Sequence, residues 1–218
     1  MGASGSPNKF RRRIISTLRG PPVRLWVTIR TGNFVWNRET HRLRKRRLKT
    51  KPTFPLIWAH NVKLGKSCLP ASRNGDVPDF VVFKGNSPAI IRSAAIVLQR
   101  TTNSRQIRRL IAAKVPPRVI KKHGGFVAEN HTILLLPSSR GAQFRLLCRL
   151  INTNAVDRRF RRVACTASIT IASLRDLPLP DPQHLHAAMA VHRDFEIAVE
   201  EAYRRSCAPA VAAPTAAA

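Results

Sequence analysis

The feature that most constrains this chain is its positive charge. Its 218 residues include 39 lysines and arginines but only 11 aspartates and glutamates, which gives a formal net charge of +28 at pH 7. Repulsion on that scale opposes a compact state, and a polyanionic partner would relieve it. The bases form clusters at residues 11–13, 42–47, 105–109 and 158–162. This spread predicts a surface that meets a phosphate backbone at several points.

Cysteine usage and hydropathy narrow the class of protein. The four cysteines are widely spaced and form no C-x-x-C pair, so neither a zinc site nor a disulfide framework is indicated. No apolar run is long enough to span a membrane. We therefore expect a cytoplasmic protein in a reducing compartment. The Arg-rich, Ser-containing start could also resemble an organelle transit peptide, but the excess of bases continues far beyond such a segment.

The amino-acid composition changes along the chain and predicts three parts. Residues 1–22 combine Gly, Ser, Pro and Arg without apolar periodicity, which is typical of a flexible basic arm. Residues 23–206 contain the alternating and apolar segments that can form one domain. Residues 207–218 are rich in Ala and Pro, and we expect them to be disordered.

Short strands mixed with helices predict an α+β fold that closes with a C-terminal helix. Alternating or short apolar runs favour strands in the segments 23–30, 54–60, 79–83, 94–99 and 124–137. A helix over 103–114 is predicted by the spacing of Ile107, Leu110 and Ile111, with Ser104 as N-cap. Further expectations are one or two helices over 142–162 with a break at 152–154, a strand and proline-rich exit over 167–182, and a last helix over 184–205.

Six segments, in a consistent order, carry a family resemblance. They are TGNFVWNRETHRLR, FPLIWAHNV, IVLQRTTNSRQIRRLIAAKVP, HGGFVAENHTILLLP, LINTNAVDRRFR and LRDLPLP. Together they cover roughly residues 31–182, and in this order the chain resembles the C-terminal, target-recognition part of adenine-specific DNA methyltransferases of restriction-modification systems, the TaqI-like class. The resemblance implies duplex DNA as a partner and adenine-specific modification as the setting.

The catalytic half of such an enzyme is not recognisable in this chain. In the family, the N-terminal part holds S-adenosylmethionine and a catalytic Asn/Asp-Pro-Pro-aromatic motif. The nearest match here is GNSPAI at 85–90, where Ser87 replaces the first proline and Ala89 replaces the aromatic residue, so we interpret it as a loop. The resemblance thus implies no cofactor in this chain, S-adenosylmethionine in a missing catalytic domain, and a truncated or split protein that is inactive alone.

The first group of candidate site residues follows Phe34. Trp36 is interpreted as a core residue, whereas amide and guanidinium groups directly after it can bond base edges or phosphates. In a chain of this charge, the basic run that follows predicts phosphate contacts. The candidates are Asn37, Arg38, Arg42, Arg44, Lys45, Arg46 and Arg47.

The second group lies between a predicted strand and the helix predicted after it. Short hydroxyl and amide donors near a helix start can fix a phosphate, and guanidinium groups add charge and bidentate reach. For the two threonines a capping role is an equal alternative. The candidates are Gln99, Arg100, Thr101, Thr102, Arg105, Arg108 and Arg109.

Two further observations bear on function. In an extended segment Glu129 and His131 would share a face, and without a nucleophile nearby a structural role is preferred to acid–base catalysis. The three histidines at 184, 186 and 192 are interpreted as surface residues. A structural RNA-binding protein remains the alternative to a DNA-recognition domain, because it would also explain the charge and the tails.

Overall fold

The computed structural model describes residues 27–69, 77–101, 106–137, 144–164 and 168–207, and these form an α+β fold. The arm predicted at 1–22 and residues 208–218 of the predicted tail lie outside the described residues. The strands are β1 (Val27–Thr31), β2 (Leu43–Arg44), β3 (Thr53–Ile57), β4 (Phe80–Val82), β5 (Ala95–Gln99), β6 (Ala112–Val115), β7 (Val127–Ala128) and β8 (Thr132–Pro137). The helices are α1 (Pro117–His123), α2 (Phe144–Ile151), α3 (Asn154–Val163), α4 (Ile171–Arg175), α5 (Pro182–Val191) and α6 (Phe195–Cys207).

The strands form two four-stranded sheets. The first has the order β1-β8-β5-β6 and is antiparallel throughout, with Ile96 paired to Leu135 and Leu98 to Ile133. The second has the order β2-β4-β3-β7, in which only the β3–β7 pair is parallel. Strands β7 and β8 are consecutive, so residues 129–131 connect the two sheets.

The first sheet is buried on both faces. On one face, Ile96, Leu98, Ile133 and Leu135 join a core with residues of the helices. On the other face, Val97 and Leu134 pack in a second core with residues from β3 and β7. Burial on both faces explains why β5 and β8 appear in the sequence as continuous apolar runs rather than as alternating ones.

A helical layer, which we define as α2, α3, α5 and α6, packs with the first of these cores. The predicted break between two helices is confirmed, since α2 ends at Ile151 and α3 begins at Asn154. At this break the Asn152 side chain donates to the Ala112 carbonyl at 2.8 Å and accepts the Ala112 N–H at 3.0 Å. Asn152 thereby satisfies the backbone of Ala112 at the outer edge of β6.

The prediction of a helix over 103–114 is wrong for the described residues 106–114. Residues 106–111 are irregular and lead into strand β6. Asp157 on α3 accepts the N–H groups of Arg109 and Leu110, at 2.9 and 2.6 Å, which holds this segment extended against the helical layer. The supposed apolar stripe also fails, because Ile107 is 90% exposed.

Two other element predictions need correction. The strand expected in the segment 167–182 is largely replaced by α4, which begins after a Thr170–Ser173 capping box. The sequence predicts a single closing helix, but the structure has two helices there, α5 and α6. The Asp194 carboxylate accepts the N–H groups of Glu196 and Ile197 at the start of α6, at 2.7 and 3.1 Å. Asp194 therefore caps the start of a new helix.

Candidate nucleic-acid interface

The turn after β1 presents an aromatic side chain to solvent. The Arg38 N–H donates to the Val35 carbonyl at 3.1 Å and so closes the turn at residues 36–38. Phe34 is fully buried, whereas Trp36 is 47% exposed, and Asn37 and Arg38 are exposed beside it. The expectation that Trp36 is a core residue is therefore wrong. The regular strand ends at Thr31, so alternation no longer determines where the later side chains lie.

The connection between the two sheets lies directly against this turn. The Phe34 N–H donates to the Ala128 carbonyl at 3.1 Å, and the Asn130 N–H donates to the Phe34 carbonyl at 2.9 Å. Gly32 makes this approach feasible, since a Cβ at that position would lie 2.0 Å from the Glu129 carbonyl oxygen. The turn after β1 and residues 129–131 are thus fixed to each other by backbone bonds.

Glu129, in this connection, has a buried carboxylate. Burial raises its pKa, while His131 and hydrogen bonds from the backbone N–H groups of His131 and Ala59 act to lower it. The exposed His131 ring has its Nε2 3.7 Å from Glu129 Oε1. This arrangement agrees with the structural role expected for Glu129, and the two side chains do lie on the same side.

The end of β5 joins the same place. The Arg100 N–H donates to the His131 carbonyl at 2.9 Å, and Arg100 Nη1 donates to the Asn130 carbonyl at 3.3 Å. Gln99 donates from Nε2 to the Val62 carbonyl at 2.8 Å. Thr101 is exposed and forms a β-bridge with Ser168. Thr102 and Arg105 lie outside the described residues.

We call residues 34–38, 99–101 and 129–131 the polar junction. It brings together Asn37, Arg38, Gln99, Arg100 and Thr101 from the two groups of sequence-predicted candidates. These side chains come from segments more than sixty residues apart in the chain. Their exposed members, with Trp36 and His131, supply amide, hydroxyl, guanidinium, imidazole and indole groups. Such groups can bond phosphates and base edges and can stack on a base.

The basic run at residues 42–47 divides into two parts. Arg42 contacts Glu39, with Nε 2.8 Å from Oε2, and its guanidinium lies 4.6 Å from the centre of the Phe83 ring. Arg44 donates to the carbonyls of His41 and Leu43, at 2.7 and 2.6 Å. The remaining three side chains are exposed, and these are Lys45, Arg46 and Arg47.

Helix α1 adds bases next to the end of this run. The pKa of His123 is lowered by its burial and, to a lesser degree, by the charges of Arg47 and Lys122. Arg44 pairs with Phe80 across β2 and β4, and the Phe80 ring centre lies 5.9 Å from that of His123, so the run and the end of α1 lie close together in space. Lys121 and Lys122 are both exposed there. The basic surface is therefore wider than the run alone suggests.

Arg108 and Arg109 are not part of the polar junction. Arg108 donates from Nη2 to the Thr153 carbonyl at 2.7 Å and also bonds Asn154 Oδ1, so its guanidinium caps the break between α2 and α3. The backbone N–H of Arg109 is held by Asp157. Arg108 thus has an evident structural task in the helical layer.

Sequence reasoning missed two contributions to this surface. Trp36 was assigned to the core, although a turn signal was present in the Asn37 that follows it. The bases of α1 were not connected with the basic run, because nothing in the sequence links positions so far apart.

Comparisons with other proteins add no family assignment. No protein-family model matches the chain, and no curated protein matches it. In the described ranges, no helix is long and apolar enough to cross a membrane. Within the same ranges, no three His, Cys, Asp or Glu side chains are grouped as metal ligands would be. The functional proposal therefore rests on the chain's own residues.

Proposed function

We propose that this chain binds duplex DNA and recognises a target in it, as the C-terminal part of an adenine-specific DNA methyltransferase of a restriction-modification system would do. The observation that carries the proposal is the polar junction, where the turn carrying Trp36, Asn37 and Arg38 is bonded to the connection that also holds Arg100. Residues that can read bases and residues that can hold phosphates meet there.

The distribution of charge supports a phosphate-binding role for this side of the molecule. Arg38, Arg46 and Arg47 form no ion pair within the described ranges. Unpaired bases can exchange their counterions for phosphates, and release of those counterions favours complex formation. Phosphate contacts fix the register of a protein on a duplex, while a few side chains at base edges supply specificity.

Each group at the polar junction has a role in this proposal. Arg38 and Arg100 would clamp phosphates or bond guanine, and Asn37 would bond an adenine edge. Trp36 offers a planar surface for stacking on a base. Lys45, Arg46 and Arg47 would extend the contact along the phosphate backbone.

Salt dependence tests the electrostatic part of the proposal. If about six phosphates are neutralised, log K for a duplex should fall with log salt at a slope of roughly −5. Arg38→Ala and Arg100→Ala should each weaken binding without unfolding the chain, while Arg162→Ala, an exposed arginine on α3, should not. Equal binding by all three variants, or affinity that does not change with salt, would remove the assignment.

Two outcomes separate this proposal from its alternatives. Competition between a duplex and a structured RNA in an electrophoretic assay should favour the duplex, and preference for the RNA would support a structural RNA-binding protein instead. We also expect no transfer of labelled methyl groups from S-adenosylmethionine to DNA by the chain alone. Transfer in the presence of a separate catalytic domain would support a split enzyme.

A further inference from the structure

A cleft of about 680 Å³ opens at the edge of the first sheet. Its walls are the loop at residues 65–67, strand β6, helix α2 and the connection between α5 and α6. Its volume lies in the range of small-molecule sites, about 300–1,000 Å³. None of the residues assigned to DNA recognition lines it.

The walls of the cleft are held by backbone bonds. The Cys68 N–H donates to the Lys114 carbonyl at 2.8 Å, and Ser67 forms a β-bridge with Lys114. On the opposite wall, Asn152 bonds both backbone groups of Ala112. The loop and α2 are therefore fixed to the same strand, and the cleft between them is preformed.

Four cations and two carboxylates line this cleft. The cations are Lys66, Lys114, Arg145 and Arg149, and the carboxylates are Asp194 and Glu196. Both carboxylates are occupied by backbone N–H groups. Asp194 accepts two at the start of α6, and Glu196 Oε1 accepts the Ala155 N–H at 2.8 Å.

The cations are left without acidic partners. In the described ranges, none of the four forms an ion pair. Arg149 lies with its guanidinium 3.8 Å from the centre of the Phe195 ring, which orients the group without neutralising it. The four positive charges outnumber the two carboxylates that line the cleft, so an anion placed among the cations is stabilised.

The floor of the cleft adds no negative charge. Burial raises the pKa of the Cys148 thiol to about 11, with the Lys114 charge acting in the opposite direction, so the thiol is neutral at pH 7. Lys114 is half-buried in β6 and lines the same cleft as Cys148. The Ser67 hydroxyl at the rim can donate a further hydrogen bond.

We propose that the cleft between residues 65–67, β6 and α2 binds the phosphate group of a phosphate ester, with Lys66, Lys114 and Arg145 as its ligands. Guanidinium and ammonium groups together supply the charge and the several donors that a phosphate group requires. The ester can come from a soluble nucleotide or from a nucleic-acid backbone. The inference does not rest on the function of the polar junction.

Titration calorimetry with inorganic pyrophosphate and with ADP tests the site on the full chain. We expect saturable binding of both, and at least a tenfold loss of affinity in Lys114→Gln. Because Lys114 is half-buried in β6, the double variant Lys66→Gln/Arg145→Gln, at two exposed positions, serves as a second test. The matched control is Arg162→Gln, which removes an equally exposed charge outside the cleft.

Two arms distinguish the source of the phosphate. If a duplex oligonucleotide competes with pyrophosphate and the cleft variants weaken duplex binding, the ester belongs to a nucleic-acid backbone. If the cleft variants leave duplex binding unchanged, the ester belongs to a soluble nucleotide. Arg162→Gln, outside the cleft, should leave pyrophosphate affinity intact. Unchanged pyrophosphate affinity in both cleft variants, or no binding by the unmodified chain, would overturn the proposal.

Discussion

The polar junction and the helical layer both contain many arginines, but those arginines have different surroundings. In α3 and α6 of the helical layer, five of them contact acids: Arg158 and Arg159 contact Glu200, Arg161 contacts Asp157, and Arg204 and Arg205 contact Glu201. At the polar junction, Arg38 forms no ion pair within the described ranges, and Arg100 bonds a backbone carbonyl. Seven of the chain's 11 acidic residues lie at or after Asp157.

This difference teaches that net charge alone does not locate a phosphate-binding surface. The sequence cluster at residues 158–162 is as basic as the one at 42–47, yet three of its arginines are paired with carboxylates. An arginine that already has an acidic partner must lose it before it can hold a phosphate. The position of the acids therefore decides which bases are available.

The largest effect should come from removing the acid that organises the helical layer. Asp157 is buried, accepts the N–H groups of Arg109 and Leu110, and lies with Oδ2 3.0 Å from Arg161 Nε. We expect Asp157→Ala to lower the free energy of unfolding by about 2–4 kcal/mol, since it leaves the N–H groups of Arg109 and Leu110 without an acceptor. Urea denaturation measures the loss.

The control for that measurement is Asp176→Ala, because Asp176 is exposed after α4 and forms no ion pair in the described part of the chain. Its effect should stay within about 0.5 kcal/mol. If the two variants were equally stable, the difference between the helical layer and the polar junction would not depend on the carboxylates.

A pair of arginine variants compares the two regions directly. Arg108→Ala should lower the free energy of unfolding by about 1–3 kcal/mol, because the Thr153 carbonyl loses its donor. Arg38→Ala, at an exposed position, should change it by no more than about 0.5 kcal/mol. Duplex binding per folded molecule should show the reverse order. Loss of binding without loss of stability in Arg108→Ala would instead extend the interface to the helical layer.

The smallest expected signal is a dependence of stability on pH. Burial raises the pKa of Glu129 above its ordinary value of 4.5, so the folded chain holds that proton more tightly than the unfolded chain does. Protonation of Glu129 therefore stabilises the folded chain. This stabilisation is complete below pH 4.5 and is lost as the pH rises through the folded-state pKa of Glu129.

Glu129→Gln removes this titration, and unfolding measured over a series of pH values tests it. Relative to the variant, the unmodified chain should lose stability as the pH increases. His131→Gln provides the matched control, since it removes the nearby imidazole and keeps the carboxyl group. Parallel stability curves for the unmodified chain and Glu129→Gln would show that the carboxyl group does not titrate abnormally.

Part of this fold could be predicted from the sequence, because some signals are local. The apolar runs of β5 and β8 determine strands buried on both faces, and the polar Asn-Thr-Asn at 152–154 ends one helix and starts another. The strand β6 could not be predicted in this way. The acceptor that holds its approach extended, Asp157, lies 48 positions from Arg109 in the sequence.

The candidate site was predictable by residue type but not by arrangement. Arg38 and Arg100 were both identified from their basic and polar neighbours. Their meeting depends on backbone bonds through residues 129–131 and on the close approach at Gly32, which no pattern of residue types displays. Trp36 is predicted from the sequence to lie in the core, whereas the structure exposes it in a turn five residues after β1 ends.

The contact of Asn152 with Ala112 has a consequence for how the molecule opens. The outer N–H of an edge strand ordinarily exchanges its hydrogen with solvent after only a slight fluctuation. Here the Ala112 N–H is held by a side chain from the break between α2 and α3, so its exchange requires those helices to move away. Hydrogen exchange at Ala112 is therefore coupled to separation of the helices from the sheet.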